Sequence, residues 1–170
     1  MEDTLISKKP MWRDILEIFV TAFAIYFVIN IFFITSTVNQ SSMYPTFQDG
    51  DFIIATRSYL SGNTFERGDV ILFENNDGKV LIKRIVGLPG DKLEIKDGLV
   101  YINSRQLKEE YLVDEEYTGP DSELVIHDNC YFVLGDNRGN SIDSRALGEI
   151  KGEQIIGKVK LRLFPDTSLF

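Results

Sequence analysis

Hydrophobic and polar positions fall into two regimes along this chain. From Ile18 to Gln48 no side chain is charged, and the stretch from Ile15 through Ile34 to Val38 is apolar on every helical face. A helix without a polar face has no side suited to water. About 20 residues at ~1.5 Å rise cross a ~30 Å hydrocarbon core. The pattern predicts a membrane-spanning helix over 15–37, tolerating Asn30 inside it and Glu17 near its start. From Asp51 onward the pattern becomes short apolar runs cut by Gly, Asn and Asp. Runs at 51–56, 68–73, 79–87, 131–135 and 157–164 read as strands. Residues 92–96 alternate, turn at Asp97-Gly98 and return over 99–103, which is a hairpin signature. Residues 109–123 are acidic, contain Gly119-Pro120 and read as a solvated surface loop. Many short strands between turns imply an all-β barrel or sandwich-like domain. The expected organisation is a tail at 1–14, an anchor at 15–37 and one folded domain at 38–170.

Charge orients this scheme. Lys8, Lys9 and Arg13 precede the apolar stretch, and no basic residue follows it until Arg57. The positive-inside rule then places the N-terminus in the cytoplasm and the domain on the outer face of the plasma membrane. Trp12 suits the interfacial belt. A cleaved leader is the competing reading, but Ala22-Phe23-Ala24 lies too early in the apolar run to be its cleavage site. The net charge of −8 argues against nucleic acid, which needs a basic face. Contact with membrane lipid must therefore be apolar. The lone Cys130 has no disulfide partner and reads as core packing. One Cys and one His do not make a zinc site, so no metal and no cofactor is expected.

Candidate chemistry lies in three segments. Ser42-Met43-Tyr44-Pro45-Thr46 places a serine just past the uncharged stretch. A serine hydroxyl needs a base to become a nucleophile. The one histidine, His127, sits where a strand enters a turn and reads as a strand-end residue. Lys83 is the better candidate base. Its strand, Val80 to Val86, is apolar on both faces apart from Lys83 and Arg84. A buried ammonium tends to lose its proton, leaving an amine able to take one from Ser42. Arg84 is expected to pair with an acid such as Asp136. In the third segment, Gly135 to Arg145, an extended chain would put Ser141, Asp143 and Arg145 on one face. A hydroxyl there could aim the lysine, and the Asp143–Arg145 pair could stiffen the loop.

These residues together resemble the type I signal peptidases, membrane-bound Ser/Lys endopeptidases of bacteria. The resemblance spans nearly the whole chain. It runs from the anchor through the serine box, Asp49-Gly50-Asp51 and Gly68-Asp69-Val70-Ile71. It continues through Ile82-Lys83-Arg84-Ile85-Val86-Gly87-Leu88-Pro89-Gly90-Asp91 to Gly135-Asp136-Asn137-Arg138 with Asn140-Ser141 and Asp143-Ser144-Arg145. It implies a mainly β fold, in which a single N-terminal transmembrane helix precedes an all-β catalytic domain with a short β insertion within 92–125. It implies Ser42 as nucleophile, Lys83 as general base, Ser141 orienting Lys83, Asp143 and Arg145 in support, and Arg84 with Asp136 as a structural pair. Val38, Met43, Phe47, Leu81 and Ile82 are similar to residues lining shallow pockets for small side chains at −1 and −3 of a signal peptide. The implied partners are signal peptides of exported preproteins, with the protein-export machinery as a further candidate.

Two positions depart from the family pattern. Gln40 stands where relatives commonly carry Ser or Gly, and a Ser there helps the oxyanion hole. The hole here would use the Ser42 backbone N–H with or without the Gln40 amide. Gly139 replaces a common acid. Both point to a slower enzyme or a narrower substrate range. The competing readings are a processing peptidase for one or a few exported substrates, a self-cleaving repressor, and an inactive tethered β-domain that binds without cutting.

Overall fold

The computed structural model describes residues 11–62, 64–113, 117–164 and 168–169. The chain divides into an N-terminal unit through Phe33 and a body from Ile34 onward. The N-terminal unit holds helix α1 (Met11–Phe32), none of whose residues is buried. At 22 residues and ~1.5 Å per residue, α1 is long and apolar enough to cross a membrane. It starts and ends earlier than the apolar pattern predicts. Residues 33–37 form strand β1 (Phe33–Thr37) instead of the last turn of a helix. The β-branched Ile34, Thr35 and Thr37 favour the extended state there.

The body is mainly β. Its further strands are β2 (Phe52–Arg57), β3 (Val70–Glu74), β4 (Val80–Gly87), β5 (Lys92–Lys96), β6 (Leu99–Ile102), β7 (Arg105–Gln106), β8 (Ser122–Val125), β9 (Cys130–Leu134), β10 (Ile150–Lys151), β11 (Ile155–Phe164) and β12 (Ser168–Leu169), with a one-turn helix α2 (Ser144–Leu147) after β9. The larger sheet runs β1-β2-β11-β3-β4-β9-β10, with β12 on β11. The long β11 carries register shifts against both β2 and β3, which bend a strand and strengthen its twist. Residues 80–84 of β4 pair with β3, while pairing with β9 begins only at Arg84. Among the described residues the first half of β4 thus has one strand neighbour, as does β1 at the end of the order.

The insertion is a separate four-stranded sheet, β7-β6-β5-β8, spanning the expected 92–125. Its β5–β6 hairpin turns on Asp97 (φ 51°) and Gly98 (φ 81°), the positive pair that a two-residue turn of matching twist requires. The residues leading into β8 are not uniformly solvated, contrary to the sequence pattern, and Thr118 is buried.

Three apolar clusters form the core. Val38, Met43, Phe47, Ile53, Val70 and Leu72 belong to one. Ile71, Phe73, Ile85 and Val133 belong to the second. The third joins the insertion's Leu93, Ile95 and Val100 to Val86 and Phe132 of the larger sheet, with the half-buried Cys130 against it. Because β4 alternates, Ile82 packs on the first cluster and Leu81 on the second. Lys83 and Arg84 are thereby drawn inward on opposite faces.

Candidate active site

Ser42 lies in a tight turn after β1. Met43 and Phe47 are fully buried, and the Phe47 N–H donates to the Met43 carbonyl at 2.8 Å. The apolar neighbours therefore fix the turn, and Ser42 is held at 5% exposure. Lys83 enters from β4, where it stands opposite Ile71 of β3, and is 1% exposed. Its Nζ lies 2.8 Å from Ser42 Oγ and donates to the Ile82 carbonyl, also at 2.8 Å. A neutral amine can keep the Ile82 bond and still accept the serine proton. Burial lowers the Lys83 pKa from 10.5 to about 8, against the opposing charges of Asp143 and Asp136.

The segment after β9 braces this pair. The Asn137 N–H donates to the Ser42 carbonyl (3.1 Å), and the Asn140 amide donates to Ser41 Oγ (2.9 Å). Gly135 passes so close that a Cβ there would stand 2.5 Å from the Ser42 carbonyl oxygen and 2.2 Å from Ser141 Oγ. Ser144 Oγ, given no role by the sequence reading, accepts from the Val133 N–H (2.9 Å) and ties the loop to β9. Asp143 is fully buried and accepts from the Gly135 N–H (3.0 Å) and from Arg145 Nε and Nη2 (2.8 Å each). Burial pushes the Asp143 carboxyl up, but these bonds outweigh it and hold the carboxyl below its usual range.

Residues 141–145 are not one extended run. Asp143 caps α2 by accepting from the Arg145 N–H, and Arg145 folds back from inside the helix. A short acid preceding a helical turn caps it in this way. Ser141 Oγ is buried without a well-formed hydrogen bond. It adds to the stabilisation of Asp143 by nearness and is not bonded to Lys83, whose contacts are Ser42 and Ile82.

Arg84 and Asp136 form a buried two-point pair, with Nε to Oδ1 at 2.8 Å and Nη2 to Oδ2 at 2.6 Å. Thr46 donates to the same carboxylate, which couples the serine turn to the pair. A cleft of about 410 Å³ leads away from Ser42 and Lys83. Val38 and Gln40 line one side, Lys79, Leu81 and Ile82 the other, and Ile53 and Leu72 lie between. Met43 and Phe47 are not part of this lining. They lie wholly within the first cluster, and Ile53 and Leu72 stand in the places the sequence reading gave them. Strand alternation marks Ile53 and Leu72 as inward-facing, but only the tertiary fold shows which inward residues reach a cleft. His127 is elsewhere. Its side chain is 81% exposed and bonded to Glu149.

The family profile described as "Signal peptidase, peptidase S26" matches residues 12–164. Signal peptidase IB of Staphylococcus aureus (strain N315) is 36% identical over 177 aligned positions, covering 93% of this chain and 92% of that relative. The chain belongs to the signal peptidase I family. Signal peptidase I S of Bacillus subtilis (strain 168) is 33% identical, with 97% of this chain and 96% of that one covered. A crystal structure of a signal peptidase I from Enterococcus faecalis has a TM-score of 0.50 at 33% identity, covering 56% of this chain and 96% of that chain. The protein is thus a serine endopeptidase of the signal peptidase I type, with an apolar N-terminal helix and signal-peptide-bearing substrates.

In this signal peptidase the two departures from the family pattern have different surroundings. Gln40 is exposed and borders the cleft. Gly139 sits in a short helical turn with nothing within 4 Å of where a side chain would begin, so an acid there would meet open space. Among the described residues, those at 109–113 and 117–118 depart furthest from the sequence reading. Glu109 and Thr118 turn in to bond Arg138, and the Tyr111 ring lies 4.0 Å from the Arg84 guanidinium. Glu109 carries no local signal of this, since an acid in an acidic stretch looks solvated until its distant partner is known.

Proposed function

We propose that this signal peptidase is anchored by α1 with its N-terminus in the cytoplasm and its body on the outer face. There it releases exported preproteins by cutting after small residues at −1 and −3. The observation that carries the reading is the buried Lys83 amine 2.8 Å from Ser42 Oγ, with its pKa lowered to about 8. Neutral Lys83 takes the Oγ proton as Ser42 attacks the carbonyl carbon of the −1 residue. The tetrahedral intermediate collapses, and Lys83 passes that proton to the departing amine. An acyl-enzyme ester on Ser42 remains. Lys83 next takes a proton from water, whose oxygen attacks the ester, and the proton returns to Ser42 as the signal peptide leaves. Asp143 and Arg145 support the site, Arg84 and Asp136 hold the loop, and Ser42 N–H with Gln40 faces the oxyanion.

The substrate fits as an extended segment. β1 and the first half of β4 both lead toward the catalytic pair, and among the described residues each has one strand neighbour. Free edges accept peptides by backbone hydrogen bonding. Val38, Ile53, Leu72 and Ile82 give the cleft an apolar lining, which suits small apolar side chains such as alanine.

The test is cleavage of a preprotein ending its leader in Ala-x-Ala, in detergent or lipid vesicles. Wild type should cut after the second alanine. Ser42→Ala and Lys83→Met should be inactive, and His127→Ala should match wild type. The kcat/KM of wild type should fall about tenfold per pH unit below about 8, where Lys83 is protonated. A rate unchanged from pH 6 to 10, or an inactive His127→Ala beside an active Lys83→Met, would reject Lys83 as the base.

A further inference from the structure

Arg138 lies in the catalytic segment with its side chain fully buried. It donates from Nε to the Gly135 carbonyl (3.1 Å) and from Nη1 to Thr118 Oγ1. Nη1 and Nη2 together grip both oxygens of Glu109. Burial disfavours the Arg138 charge, but Glu109 more than offsets this and its pKa is raised. Tyr111 donates its hydroxyl to Glu109 Oε1 (2.6 Å) and lays its ring on Arg84. The same Arg84 grips Asp136. A second tie joins the Gly119 carbonyl to Arg145 (3.3 Å), whose Nη2 also donates to the Arg138 carbonyl (2.8 Å).

The described part of the insertion from 109 to 119 therefore touches three arginines behind Ser42, Arg84, Arg138 and Arg145, and contributes no residue to the cleft. A buried guanidinium needs its charge and its donors matched, and Glu109 supplies a two-point carboxylate to Arg138. We propose that Glu109, supported by Tyr111, is a positioning residue for catalysis: it clamps the insertion onto Arg138 and so sets where Asp136 and Asp143 stand relative to Lys83. This rests on the Ser42–Lys83 reading, and it makes the insertion a rate-setting element of this enzyme rather than a passive surface decoration.

The direction of the effect on Lys83 follows from the charges around it. Asp143 and Asp136 favour its protonated form. Loss of the Glu109 carboxylate removes the largest of the charges that favour the Arg138 cation and loosens the hold on the loop that carries Asp136 and Asp143. With Lys83 still buried on β4, which is the larger cause of its lowered pKa, both changes disfavour its protonated form, so the midpoint of the pH–rate profile should move down. The cleft walls at 36–40 and 79–83 are untouched, so KM should not move.

The experiment uses the full chain in detergent with an Ala-x-Ala preprotein, comparing wild type, Glu109→Gln, Glu109→Asp, Tyr111→Phe and Ser42→Ala. Glu109→Gln should lower kcat tenfold or more, leave KM within about twofold and shift the pH midpoint down by at least half a unit. Glu109→Asp should recover part of the rate. Tyr111→Phe, which removes one hydroxyl and keeps the ring on Arg84, should fold like wild type and lose two- to fivefold in kcat with a smaller shift the same way. It keeps the test open should Glu109→Gln not fold. Unchanged kcat and midpoint in the folded variants would overturn the proposal, as would a loss carried wholly by KM. An inactive wild type, or an active Ser42→Ala, would instead defeat the Ser42–Lys83 reading itself.

Discussion

Lys83 carries a cost that its protonation state exposes. Its pKa is about 8 in the folded body against 10.5 unperturbed, so between these values the unfolded chain binds more protons than the folded one. Stability should therefore rise with pH through that window. Below about 8 the folded protein holds a buried ammonium at a cost of about 3 kcal/mol, and above 10.5 the penalty is gone. Lys83→Met should be inactive yet more stable than wild type by about 1–3 kcal/mol at pH 7, with the gap closing toward pH 10.5. Denaturant midpoints at several pH values check this, and a less stable variant at pH 7 would contradict it. Ser141 offers a similar separation. A buried hydroxyl without a proper partner costs about 1–3 kcal/mol, so Ser141→Ala should keep or raise Tm. A tenfold loss of kcat at unchanged Tm would support its role in aiming Lys83, while an unchanged rate would remove it from the catalytic set.

Among the elements, the close crossing of Gly135 over the serine turn leaves no room for a side chain. A methyl group there would collide with the Ser42 carbonyl oxygen, which is backbone and cannot yield cheaply. Gly135→Ala should lose at least tenfold in kcat, with a destabilisation of about 1–3 kcal/mol expected of overpacking. Gly139 is the contrasting case. Gly139→Asp enters open space and should leave Tm within a few degrees, read by thermal scanning alongside the cleavage rate. The first half of β4 shows why one strand can serve both fold and chemistry. Pairing with β3 fixes its register, and its other edge stays available beside the cleft.

At the scale of the whole molecule, the body from Ile34 holds all three apolar clusters. A chain starting at Ile34 should fold without α1 and cut a soluble peptide in a Ser42-dependent way, while losing its preference for membrane-bound preproteins. An unfolded body by circular dichroism would show that the helix is needed for the fold.

Periodicity and local chemistry determined much of this protein. The uncharged run announced a helix of membrane length, period-two runs announced the strands, and Asp97-Gly98 announced its hairpin. The two-sided apolarity around Lys83 announced a buried lysine, because burial of neighbours on both faces leaves a strand residue no route to water. What pairs across the fold was decided only in three dimensions. Met43 and Phe47, which the family resemblance assigned to the cleft, are claimed by packing for the core. Ser141 to Arg145 looks extended until Asp143 caps a helix. Glu109 looks solvated until Arg138, 29 positions away, brings it inside. Local sequence sets dihedral preference and which faces are apolar. Long-range partners are selected by the chain's closure into sheets, where a buried charge is tolerated only beside its counter-charge.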